Sequence, residues 1–184
     1  MSAIIQPVEI VVPDEFRYLY VQNDERPVVK VPAPCLRTVC QPVQKVTKKT
    51  QELIDRLISV MRKANGIGLA APQLGVTQRV IVIAPEGMRP LAFVNPVILS
   101  MEGEQIGQEG CLSIPGLYGD VKRAAAIELR ALDRKGRAVQ YRMEGLPARV
   151  VQHEVDHLDG VLFTDKVNPA TLRWMHPDGE PDTP

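Results

Sequence analysis

Between residues 146 and 162 the apolar positions recur at helical spacing: Val151, Val155, Leu158 and Leu162 form one stripe. Pro147 suits the first position of a helix and Gly160 the position just past its end. On that helix the stripe faces one way. His153 and His157 fall nearly opposite it, alongside Leu146 and Val150, with Gln152, Asp156 and Asp159 in a wedge between. A second helix is predicted from a Thr47 cap to about Asn65. Leu53, Leu57, Met61 and Ala64, with Ile54 and Ile58, give it a broad apolar face, and Gly66 stops it. Alternating or β-branched runs predict strands over 8–12, 17–21, 28–31, 79–84, 91–101, 121–132 and 137–143, with a short strand or turn over 161–167. Turns are expected at Pro85-Glu86-Gly87 and at Asp133-Arg134-Lys135-Gly136. The pattern is α+β: antiparallel sheets around a central helix that carries both histidines, with a long N-terminal helix packed outside.

Composition narrows the class. A chain of 184 residues, 45% hydrophobic and 24% charged, is long and apolar enough for one globular domain. Its 22 basic and 22 acidic residues cancel, which argues against direct nucleic-acid binding and against an anionic membrane surface. No apolar run reaches bilayer-spanning length, and the first residues lack a secretory signal. Cys35, Cys40 and Cys111 are odd in number and show no CxxC spacing, so a reducing, cytoplasmic setting is expected. Cys35 and Cys40 are read as small packing residues. Residues 1–27 form an N-terminal extension, read as an added β-hairpin or a partly ordered arm. A short polar, proline-rich tail spans 169–184.

The chemistry starts at His153-Glu154-Val155-Asp156-His157. Histidines four apart share a helix face and can aim at one ion, while the intervening glutamate acts on a bound water. Three protein ligands plus an open position make a catalytic metal site. A third histidine six residues after His157 is missing, because Phe163 stands there. Glu180 and His176 lie in the polar tail. Cys111, beside Gly110, remains, and a thiolate with two imidazoles suits zinc or ferrous iron.

Three motifs in order, Gly66-Ile67-Gly68-Leu69-Ala70-Ala71-Pro72-Gln73, Glu109-Gly110-Cys111-Leu112-Ser113 and Gln152-His153-Glu154-Val155-Asp156-His157, resemble the signatures of the peptide deformylase family. The resemblance runs from about residue 28 to 168. It implies hydrolytic removal of the N-formyl group from formyl-methionine on nascent polypeptides, with release of formate. It implies Cys111, His153 and His157 as ligands of one divalent ion, with Fe²⁺ expected as the native metal and Zn²⁺, Ni²⁺ or Co²⁺ also compatible. Glu154 would be the acid–base group, and Gln73 with the Leu112 N–H would hold the oxyanion. Ile67, Gly68 and Gly110 would meet the substrate backbone, and Leu146, Arg149 and Val150 would border the methionine pocket. Longer members carry a C-terminal helix implicated in transient ribosome association; here polar, proline-rich residues stand in its place. Arg123 is expected either to pair with Glu109 or to be a solvated charge. A metallopeptidase using the same ligands and a silent binder of N-terminal peptides are the rival classes.

Overall fold

The computed structural model describes residues 8–177. The end of the expected tail, Glu180 included, lies outside the described residues, as do residues 1–7. The fold is α+β with antiparallel sheets, as the sequence pattern predicts. Helix α1 covers Lys48–Lys63 and helix α2 Gly145–Leu158. The strands are β1 Gly68–Ala70, β2 Val80–Ile83, β3 Leu91–Glu102, β4 Gln105–Cys111, β5 Ile114–Arg123, β6 Ala126–Leu132, β7 Ala138–Glu144 and β8 Arg173–Trp174. One sheet has the order β1-β2-β3-β6-β7, the other β4-β5-β8.

Strand β2 divides the core. All four of its residues, Val80–Ile83, are buried, and side chains alternate across a strand. Val80 and Val82 therefore pack with Ile54, Leu57 and Met61 of α1. Ile81 and Ile83 pack with Ala148, Val151 and Leu158 of α2. The larger sheet is covered by one helix on each face. Helix α2 in turn has the smaller sheet on its other side, where a third cluster joins Ile114, Leu117 and Val121 to Leu162 and Phe163.

The helix ends follow the sequence closely but not everywhere. The Thr47 N–H donates to Thr50 Oγ1 at 3.1 Å and opens α1. Asn65 (φ +53°), rather than Gly66, takes the left-handed position after it, and the Gly66 N–H closes onto Met61 O at 2.9 Å. At α2 the helix begins at Gly145, two residues before Pro147. Gly160 (φ +71°) ends it, with Gly160 N–H donating to His157 O and Val161 N–H to Asp156 O at 2.9 Å.

Several strand expectations are overturned. Residues 8–12 and 17–21 form no hairpin. Residues Asp14–Tyr20 make a 3₁₀ turn whose buried Phe16 and Leu19, three apart, share one face. Phe16 packs on Trp174 and stacks on His176, and a Cβ on Gly116 would strike its ring. Residues 28–31 form no strand: Val29 N–H goes to Gln73 O and Val31 N–H to Ser113 O, on separate elements. The run 121–132 is two strands in different sheets. The carboxamide of Gln152 pairs with both the N–H and the O of Ala124 at 3.0 Å each, standing in for a strand partner where the chain changes sheet. Residues 161–167, expected as a short strand or turn, take the second form, a 3₁₀ turn at Phe163–Asp165. The start of the expected tail is ordered, since Arg173–Trp174 pairs with β5.

A Cβ on Gly160 would lie 2.8 Å from the backbone of Arg37, whereas one on Gly75 (φ +78°) would meet nothing within 4 Å. Both alanine variants should lose about 1–2 kcal/mol for the left-handed conformation. Thermal unfolding should show a clearly larger drop in Tm for Gly160→Ala; equal drops would contradict that close approach.

Candidate metal centre

The elements just described converge on one point. Cys111 ends β4 at a register shift, since Gly110 pairs with Tyr118 but Cys111 with Ile114. That irregularity re-aims the side chain toward the polar face of α2. The ligand atoms of Cys111, His153 and His157 all lie within 4.8 Å of one another. Cys111 Sγ is 3.4 Å from His157 Nε2. Ligands about 2.3 and 2.1 Å from one tetrahedral ion stand about 3.6 Å apart, so the pair is already spaced for a shared metal.

His153 is oriented from behind. Its Nδ1 is 2.8 Å from Glu109 Oε2, which fixes the proton on Nδ1 and leaves Nε2 free to bind. Glu109 is held in turn by a bidentate Arg123, with Nε to Oε1 at 2.8 Å and the terminal nitrogen to Oε2 at 2.9 Å. Arg123 also reaches Asp156, which Lys166 pairs from outside. Arg123 is therefore a buried partner of Glu109 and no solvated charge. Burial works to raise the Glu109 carboxyl, but hydrogen bonds and charges from Arg123 and His153 overcome it and hold the group well below the usual carboxylate range. Burial lowers the His157 pKa well below its ordinary value, which suits a neutral ligand.

Glu154 is buried between the histidines' helix face and Gly68. Burial is the main cause that lifts its carboxyl to about 7, with the Glu109 charge adding and the His153 charge opposing. Its Oε2 is buried without a hydrogen-bond partner among the described residues. A buried orphan acceptor beside a cluster of three ligand atoms fits a group that works on a bound water. The donor set and its spacing fit a divalent metal.

Gln73 is locked in place: Ala70 N–H donates to its Oε1 at 3.0 Å, so its Nε2 points to Ser113 Oγ (3.2 Å) and Cys111 Sγ (3.6 Å). A cavity of about 440 Å³ opens beside these groups and is lined by every predicted site residue except His157. Gly68 and Gly110 serve packing as well as access. A Cβ on Gly68 would collide with Glu154 Oε1, and one on Gly110 would lie 2.6 Å from the Tyr118 ring. Leu146 is exposed at the rim, and Ile67 is exposed too. Val150 is buried on the wall. Arg149 lines the same cavity, yet its guanidinium is committed to Glu109 Oε1 (2.8 Å) and Val121 O (2.9 Å).

A family model described as polypeptide deformylase matches residues 25–173. The chain belongs to the peptide deformylase family. It is 56% identical over 137 residues to the peptide deformylase of Alkalilimnicola ehrlichii, covering 73% of this chain and 77% of that one. The crystal structure of a peptide deformylase from Legionella pneumophila superposes with a TM-score of 0.74 at 41% identity, over 78% of this chain and 86% of that one. A Met-Ala-Ser-bound class I type b peptide deformylase from Acinetobacter baumannii does so with a TM-score of 0.74 at 36% identity, over 77% and 97%. Membership makes the chain an enzyme of the class that hydrolytically removes the formyl group from N-terminal methionine. Among the described residues no helix is long and apolar enough to cross a membrane.

Sequence reasoning missed one residue, Ser113, and the ion pairing of another, Arg149. Ser113 is fully buried and accepts from Gln73. The guanidinium of Arg149 shares Glu109 with Arg123. One signal was available: Glu109 lies only two residues before Cys111 in the same motif. Replacing Arg123 by Met would leave Glu109 and Asp156 without their common buried partner, a loss of about 3 kcal/mol. For a chain of this size that corresponds to a fall in Tm of about 6–12 °C by calorimetry; an unchanged Tm would contradict the network's structural weight.

Proposed function

We propose that this enzyme is a metal-dependent deformylase acting on formyl-methionine at the start of nascent polypeptides, releasing formate and a free α-amine. The observation that supports it best is the convergence of Cys111, His153 and His157 within 4.8 Å, beside the unpartnered buried carboxylate oxygen of Glu154. These three side chains would hold one divalent ion, with Fe²⁺ the expected native metal. Bound there, such an ion supplies a water acidified toward neutral pH and a polarised formyl carbonyl.

The protein's own groups do the rest. Glu154 takes the proton of the attacking water through its free Oε2. As the C–N bond of the formamide breaks, it delivers that proton to the departing nitrogen. A carboxyl lifted to about 7 by burial is matched to both directions of transfer. Negative charge develops on the formyl oxygen, and Gln73 Nε2 with the Leu112 N–H are the donors that meet it; each such donor is worth about 3–4 kcal/mol. Gln73 needs no reorientation, since Ala70 already fixes its amide. Ile67, Gly68 and Gly110 flank the substrate backbone. Leu146, Val150 and the stem of Arg149 border the methionine side chain. The expected setting is cytoplasmic, on chains emerging from the ribosome.

The test is anaerobic purification with metal analysis, coupled to formate detection on formyl-Met-Ala-Ser. Near-stoichiometric divalent metal and steady formate release are expected. Cys111→Ala should lose the metal, and Glu154→Gln should keep it while formate release falls by at least about 10³-fold. Near-normal turnover by Glu154→Gln would sink the role given to that residue. Cleavage of unblocked peptides without formate would replace the deformylase by a peptidase.

A further inference from the structure

The cavity beside the metal ligands does not end at the residues that would hold formyl-methionine. A second cavity, of about 680 Å³, adjoins it, and the two share Ala64, Asn65, Leu112, Pro115 and Pro177 as a common wall. Gly68 lies against Glu154 and Gly66 against Leu112. A peptide leaving the metal ligands along residues 68 to 66 therefore reaches that common wall next. Its extended backbone advances about 3.3 Å per residue.

The second cavity is a groove between α1 and residues 24–30. Arg56, Ser59, Val60 and Lys63 recur at helical spacing and form one side. Asp24, Arg26 and Lys30 lie on the other, and buried Leu19 helps form the floor. Leu19 and Asp24 precede residue 25, where the family match begins, so part of this groove is built outside the shared domain.

Its charge is uneven. Arg26, Lys30, Arg56 and Lys63 face only Asp24 and Glu25, in a chain whose total charge is zero. Two of the four cations are occupied: Arg26 donates to Tyr18 O at 2.9 Å and Lys30 to Val28 O at 2.7 Å. Arg56 and Lys63 have no hydrogen bond or ion pair among the described residues. The nearby acids of α1 are spoken for, Asp55 by Arg134 and Glu52 by Lys48.

We propose that this groove is a second substrate subsite, which receives residues of the formylated chain downstream of methionine and favours acidic side chains there. The inference rests on the deformylase reading above. It gives the enzyme a preference that depends on sequence beyond the processed residue.

The experiment compares kcat/KM for formyl-Met-Ala-Ser followed by three Asp, three Ala or three Lys residues, on the full chain with its metal. Wild-type enzyme should favour the Asp peptide over the Lys peptide by about 3- to 10-fold at low salt, the effect of two exposed charge pairs. The ratio should shrink toward one at 0.5 M salt, since exposed charges are screened there. In the double variant Arg56→Glu/Lys63→Glu the Asp-to-Lys ratio should invert, and because it is a ratio within one enzyme, general damage cancels. A wild-type ratio near one would overturn the proposal, and so would a preference unmoved by the double variant. Absence of formate from every peptide, the bare tripeptide included, would instead bring down the deformylase reading itself and this subsite with it.

Discussion

A carboxylate buried between a sheet and a helix is the constraint on which this architecture turns. Glu109 sits on β4 and is held from β5 by Arg123 and from α2 by Arg149 and His153. Burying that charge unpaired would cost several kcal/mol, so the two arginines and the imidazole must stay where they are for the fold to be stable. The same bonds join the smaller sheet to α2. They fix the distance between Cys111, two residues beyond Glu109, and the two histidines. Structural ion pairing and ligand geometry are one arrangement.

Helix α2 can carry this load because it is buried on two sides for different reasons. Val151 and Leu158 close the apolar core against Ile81 and Ile83. Its opposite side presents Arg149, Gln152, His153 and Asp156, each of which finds a polar partner on or beside the smaller sheet. The apolar side supplies stability and the polar side supplies register. A helix with only the first would slide against its sheet at little cost, and histidine positions would not be held to within a fraction of an ångström.

The segment 66–73 does comparable double work. Its backbone ties the end of α1 to β2 through β1, and Gln73 then turns back to bond Ala70, Ser113 and Cys111. Glycine at 68 lets Glu154 approach β1 more closely than any side chain would allow. The requirement there is steric, and it connects a small residue in one motif to the proposed acid–base group of another.

What the linear sequence determined by itself was local. The Thr47 start of α1, the Gly160 stop of α2, the spacing of His153 and His157, the turn at Asp133–Gly136 and the α+β class follow from periods and turn residues, which act over a few positions. The candidate ligand set was legible because two histidines four apart leave few candidates for a third partner, and three ordered motifs resemble one family. Tertiary structure decided whatever depended on a partner far along the chain. Residues 121–132 look like one strand until Gln152 takes the place of a strand at Ala124. Residues 8–21 look like a hairpin until Phe16 finds the space left by Gly116 and packs on Trp174. Arg149 looks like a pocket residue and nothing more until Glu109 claims its charge. In each case a hydrogen bond or a ring contact spanning from about 28 to about 160 positions outweighed a local preference of a few tenths of a kcal/mol.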